Sequence, residues 1–145
     1  MQEFSIISLN FSKSSSLPLS GCICLDLNNK HFSSITGMSN GQEMIDRSLT
    51  AQKFCTHNGI LTDVRTCVFK HTTLQEFKDI AKLICEHNNT DYLFWTIRCY
   101  SPVKGCDYQA PEKDLLLKYA KETKKDFPML KIGMRARWKG GFIFL

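Results

Sequence analysis

Residues 61–100 read LTDVRTCVFKHTTLQEFKDIAKLICEHNNTDYLFWTIRCY, and the order of patterns inside this stretch decides the fold. A strand over residues 61–69 follows Asn58-Gly59, a pair that favours a turn. Thr73 with Glu76 carries the signature of a capping box, in which each side chain satisfies a backbone N–H that the first helical turn leaves unpaired. Leu74, Phe77, Ile80, Ala81 and Ile84 then recur at the spacing of one buried helix face. Lys78, Asp79, Lys82 and Glu86 fall on the outer side, and Asn88-Asn89 ends the helix. Residues 91–100 are aromatic and β-branched almost without a break (Tyr92, Leu93, Phe94, Trp95, Ile97), which predicts a central strand covered on both faces. A strand, a helix and a second strand in succession need a crossover, so at least one strand pair is expected to be parallel.

Toward the C-terminus the same grammar repeats. Residues 101–109, with Pro102 and Gly105, read as a loop. A helix is expected to follow, with Pro111 near its first position, Glu112 and Asp114 in its first turn and lysines later, an order that complements the helix dipole. Leu116, Tyr119, Ala120, Thr123 and Phe127 form its inner stripe, and Pro128 stops it. Residues 130–139 alternate: Leu130, Ile132, Met134, Ala136 and Trp138 on one face, Lys131, Gly133, Arg135, Arg137 and Lys139 on the other. Gly140-Gly141 before residues 142–145 predicts a tight hairpin.

Toward the N-terminus, residues 4–11 are β-prone, residues 12–20 form a Ser-rich loop, and Gly21–Leu27 alternates. Asn28-Asn29-Lys30 is a turn signal, and residues 32–36 are expected to pair back as a hairpin. Another helix starts near Ser39-Asn40, where Asn40 and Glu43 resemble a capping box and Met44, Ile45, Ser48, Leu49 and Gln52 give an inner stripe. The expectation is one α+β domain over residues 1–145: a mixed sheet, about three helices largely on one face, antiparallel ends and a C-terminal β-hairpin.

Composition narrows the function classes. A 145-residue chain with 43% hydrophobic and 23% charged residues suits one ordinary globular core. No apolar run approaches a membrane span, and the N-terminus lacks the basic region and apolar core of a secretion signal, so an intracellular protein without membrane contact is expected. Seven cysteines, an odd number, fit reduced thiols better than a disulfide framework.

Charge is unevenly spread. The formal net charge is +5, yet residues 118–145 alone carry eight Lys/Arg against Glu122 and Asp126. This basic end comprises Lys121, Lys124 and Lys125 on the helix and Lys131, Arg135, Arg137 and Lys139 on the strand, and the two groups are expected to converge if helix and strand abut. Such a surface predicts a nucleic-acid partner, RNA or DNA, held through its phosphates. An acidic protein partner, with this chain as an interaction or inhibitor module, is the alternative. A small domain of either kind fits a viral or mobile-element accessory factor, and a homodimer is compatible with it. Against both stands the use of strand cations simply to discourage edge-to-edge aggregation.

Chemical motifs are sparse. His71-Thr72-Thr73-Leu74 fits the His-x-Thr-hydrophobic element in which paired imidazoles act as base and acid on a phosphodiester, with His31 as the mate. The matching position after His31 holds Ser34, which is polar where the pattern asks for an apolar residue. A two-histidine phosphodiesterase using His71, Thr73 and His31 is therefore the third functional expectation. Cys22, Cys24, Cys55 and His57 are the candidate metal ligands, although their spacings match no structural zinc pattern. No phosphate-binding glycine loop or dinucleotide fingerprint is present, and no cofactor is expected.

Overall fold

The computed structural model describes residues 20–24, 39–135 and 142–145. Among these, five strands form one sheet in the order β1 to β5: β1 (Ser20–Cys24), β2 (Leu61–Val68), β3 (Leu93–Cys99), β4 (Ile132–Arg135) and β5 (Phe142–Phe144). The first four are parallel, and β5 returns antiparallel to β4 as the expected C-terminal hairpin. Three α-helices make the crossovers: α1 (Gly41–His57), α2 (Leu74–His87) and α3 (Lys113–Asp126). Because crossovers are right-handed and the strands advance in one direction, every described helix lands on the same side of the sheet. The expected α+β fold, a mixed sheet with its helices on one face, is what the chain adopts.

The core fills the space between the layers. Ile45 and Leu49 of α1, Phe77, Ile80, Ala81 and Ile84 of α2, and Leu116 and Ala120 of α3 pack on Val64, Val68, Leu93, Trp95, Ile97, Ile132 and Met134. Trp95 is fully enclosed; its indole N–H donates to Thr66 Oγ1 at 2.9 Å and its ring packs beside Phe77. That bond lets a large aromatic enter the core without stranding its polar atom.

Local chemistry sets the helix starts differently. At α2, Thr73 Oγ1 accepts from Glu76 N and Glu76 Oε2 accepts from Thr73 N, so the capping box forms as expected. At α1 it does not. Asn40 occupies the cap position, but its amide reaches only the Glu43 carboxylate at 3.5 Å and no backbone N–H is capped by its side chain. Pro111 precedes Glu112, the cap of α3, instead of occupying the first helical turn.

Two further expectations need correction. The N-terminal end is not antiparallel at the described residues, because β1 pairs parallel with β2 across the α1 crossover. Residues 25–38, where a hairpin was expected, lie outside the described residues. Nor do the described helices cover both sides of β3: Leu93, Trp95 and Ile97 meet them, whereas on the opposite face Phe94 is half-buried, Thr96 buried and Arg98 exposed. The uninterrupted run of large residues marks its central place between β2 and β4, not two helical layers.

Candidate functional site

Among the described residues all helices lie on one side, so no described helix covers the other face of the sheet, and strand alternation decides what that face carries. From β2 come Leu61, Asp63, Arg65 and Cys67; from β3, Phe94, Thr96 and Arg98; from β4, Gly133 and Arg135; from β5, Phe142 and Phe144. Their registers align them in rows across the strands. Cys67, Arg98, Arg135 and Phe142 form one row, and Arg65, Thr96, Gly133 and Phe144 the next.

The first row places Arg98 and Arg135 directly opposite each other on adjacent parallel strands, with backbones about 4.8 Å apart. Both side chains are exposed, and neither has an ion-pair partner among the described residues. Two guanidiniums held side by side repel, and an anion bridging them would relieve that repulsion. Arg65, one row away, is engaged: its Nε donates to Asp63 Oδ2 at 2.7 Å, while Asp63 Oδ1 accepts from Thr96 Oγ1 at 2.6 Å.

Beside the arginines lies a pile of three aromatic rings. Phe94 stacks on Phe142 with centroids 5.8 Å apart, Phe144 meets Phe94 edge-on at 5.6 Å, and Phe142 and Phe144 lie 4.6 Å apart. Gly133 makes the pile possible, since a Cβ there would fall 2.3 Å from the Phe142 ring and 2.9 Å from Phe94. Phe144 is nevertheless 72% exposed and Phe142 37%, so aromatic surface is presented to solvent next to cations.

Next to Phe94, a cleft of about 290 Å³ opens at the starts of β2 and β3, lined by Leu61, Thr62, Asp63, Tyr92, Leu93, Phe94 and Lys131. Lys131 Nζ donates to Asp91 O at 2.8 Å across its rim.

The sequence-derived candidates distribute unevenly over this geometry. Over residues 130–135, Leu130, Ile132 and Met134 are buried and Lys131 and Arg135 exposed as expected, while Gly133, expected on the outward face, is buried under the Phe142 and Phe94 rings. Arg137 and Lys139 lie outside the described residues. Of the helical lysines, Lys124 reaches the strand segment just before β4, but the three do not share a face with Arg135. α3 buries Leu116, Ala120 and Thr123 against the helical side of the sheet, so Lys121, Lys124 and Lys125 belong to the opposite layer from Arg135. Lys125 pairs with Glu122 at 2.8 Å, which holds that carboxyl below its usual range, and Lys124 donates to Leu130 O at 2.7 Å.

Of the catalytic candidates, His71 is exposed after β2, stacked on Phe69 and close to Tyr108, while Thr73 is occupied by its cap. His31 lies outside the described residues. Cys22 and Cys24 belong to β1, where their backbones pair with Asp63 and Arg65. Cys55 is buried on α1, and burial pushes its thiol pKa up; His57 is exposed at the helix end with Nδ1 2.8 Å from Lys53 O. Among the described residues, no three His, Cys, Asp or Glu side chains are grouped to hold a metal ion. Likewise no described helix is long and apolar enough to cross a membrane.

Arg98, Phe94, Phe142, Phe144 and Asp63 were not singled out from the sequence for this surface. The alternation of Asp63, Arg65 and Cys67 with Val64, Thr66 and Val68 was available as a signal for the β2 members. The chain matches no known protein-family model, and no curated protein is similar enough to count as a relative.

Proposed function

We propose that the chain binds single-stranded nucleic acid on the face of its sheet opposite the described helices. The observation that carries this reading is the exposed Arg98–Arg135 pair set beside the exposed rings of Phe142 and Phe144. Cations that track phosphates, together with aromatic faces on which bases stack, are the two components of single-strand recognition. A flat sheet also admits splayed bases, which a duplex cannot offer. This assignment moves the interface from the α3 lysines to the sheet, with Arg135 and Lys131 shared between the two descriptions.

The test is fluorescence anisotropy on labelled oligouridines and oligothymidines of increasing length. Binding should strengthen with length up to the span of the sheet face and weaken steeply with salt. Arg98→Ala with Arg135→Ala removes two phosphate contacts and should flatten the log–log salt slope by about 1.4, taking roughly 0.7 per contact for single strands. A Lys121→Ala, Lys125→Ala pair on the opposite layer should leave the slope unchanged. Equal effects from both pairs, or retention that ignores length, would point to non-specific charge or to an acidic protein partner and dispose of the proposal.

A further inference from the structure

We infer that the cleft next to Phe94 is a base-reading pocket selective for guanine, an inference that rests on the single-strand reading above. Its location comes first. Leu61, Asp63 and Phe94 fall by strand alternation on the face opposite the described helices, Tyr92 and Lys131 flank them just before β3 and β4, and Phe94 belongs both to the pile and to the cleft wall. A base that leaves the stack on Phe142 therefore enters the cleft without turning to another surface. At about 290 Å³ the cleft sits at the small end of ligand pockets, roughly 300–1,000 Å³, and accommodates one ring system.

The polar groups at the walls select among bases. Asp63 spends one lone pair of Oδ2 on Arg65 and one of Oδ1 on Thr96, and a carboxylate oxygen accepts two bonds, so each oxygen keeps one acceptor position. Lys131 gives one of its three protons to Asp91 O and keeps two. Although both groups line the cleft, they form no ion pair with each other. The pocket thus offers two neighbouring acceptors on one wall and a cationic donor on another. Guanine presents adjacent N1–H and N2–H donors to a carboxylate, with O6 beside them for an ammonium. Adenine and cytosine put a lone pair where the second donor is needed. Uracil flanks its one N–H with carbonyls that the carboxylate repels. Tyr92 and Phe94 supply the apolar walls for the ring.

The experiment uses the full chain and three ten-nucleotide oligouridines that differ at one central position: uridine, guanosine or inosine, which lacks the N2 amine. Wild-type protein should bind the guanosine oligomer roughly 10- to 100-fold more tightly than all-uridine, and inosine should fall between them. Asp63→Asn, which replaces one acceptor by a donor, should bring the three affinities together while the salt dependence stays. If the wild type binds all three equally well, the pocket assignment is overturned and the single-strand reading survives. If none is bound at moderate salt, both are overturned. Should Asp63→Asn fold poorly by circular dichroism, the guanosine–inosine difference in the wild type decides alone.

Discussion

Gly133→Ala is the sharpest perturbation of the aromatic surface, because one methyl group tests both its packing and its use. The added Cβ would lie 2.3 Å from two atoms of the Phe142 ring and 2.9 Å from Phe94, against ordinary contacts of about 3.5–4.0 Å between carbons. The Phe142 ring must therefore retreat by more than about 1 Å, which forfeits its stack on Phe94. Aromatic pairs contribute about 0.5–1.5 kcal/mol beyond their buried area, and strain from overpacking adds a comparable cost. The β4–β5 edge yields partly, so a net destabilisation of about 1–2 kcal/mol is expected from urea unfolding. Oligonucleotide affinity should fall by about 1 kcal/mol or more, since one base loses its platform. A double-mutant cycle with Phe142→Ala isolates the cause. With the ring gone, most of the clash is gone, and the two substitutions should be non-additive by about 1 kcal/mol. Additivity within about 0.5 kcal/mol would refute the claim that Gly133 exists to admit that ring.

Other perturbations probe the frame. Thr73→Ala removes the cap hydroxyl of α2 and should cost about 1 kcal/mol in chemical denaturation, whereas Asn40→Ala, which caps no backbone N–H, should cost clearly less. Thr66→Val leaves the enclosed Trp95 N–H without its acceptor, so a loss of about 1–3 kcal/mol is expected in the same assay. Among Cys55, Cys67, Cys85, Cys99 and Cys106, the exposed Cys106 should be alkylated first and the buried Cys55 last, as peptide mapping would show. Burial raises the thiol pKa of Cys55, Cys85 and Cys99, so these groups favour the fold in their neutral form. Their contribution is intact below the unfolded thiol pKa of about 8.5 and declines as pH climbs above it, which a falling melting temperature between pH 8 and 10 would record.

Much of this architecture is legible in the amino-acid order, and the boundary of what is legible has a physical cause. The helix over residues 74–87 could be read with its cap because box and stripe are both local, and Thr73, Glu76 and Phe77 need no distant partner to declare their roles. The two faces of residues 130–135 were equally plain, since period two needs only one strand. What periodicity cannot say is which element covers each face. That depends on strand order, and strand order separated Arg135 from the α3 lysines that sit close to it along the chain. The interface is non-local in the same sense: Arg98 meets Arg135, and Phe94 meets Phe142, only through pairing between strands. Gly133 carried the least signal. In sequence it is a gap in a row of cations, and in space that gap is where the rings lie.

The monotonic strand order has a consequence for how the chain reaches its fold. Every described strand pairs with the one next to it in sequence, so no described pairing spans more than one crossover. Topologies dominated by such near-neighbour pairings fold faster than those that must join distant segments. Growth can begin at β2–α2–β3, which holds Trp95 and the one complete capping box among the described residues, and add a strand at either side. The edge formed by β4 and β5 is then completed from an already ordered centre, and its aromatic and cationic side chains take their places on a template that is finished before them.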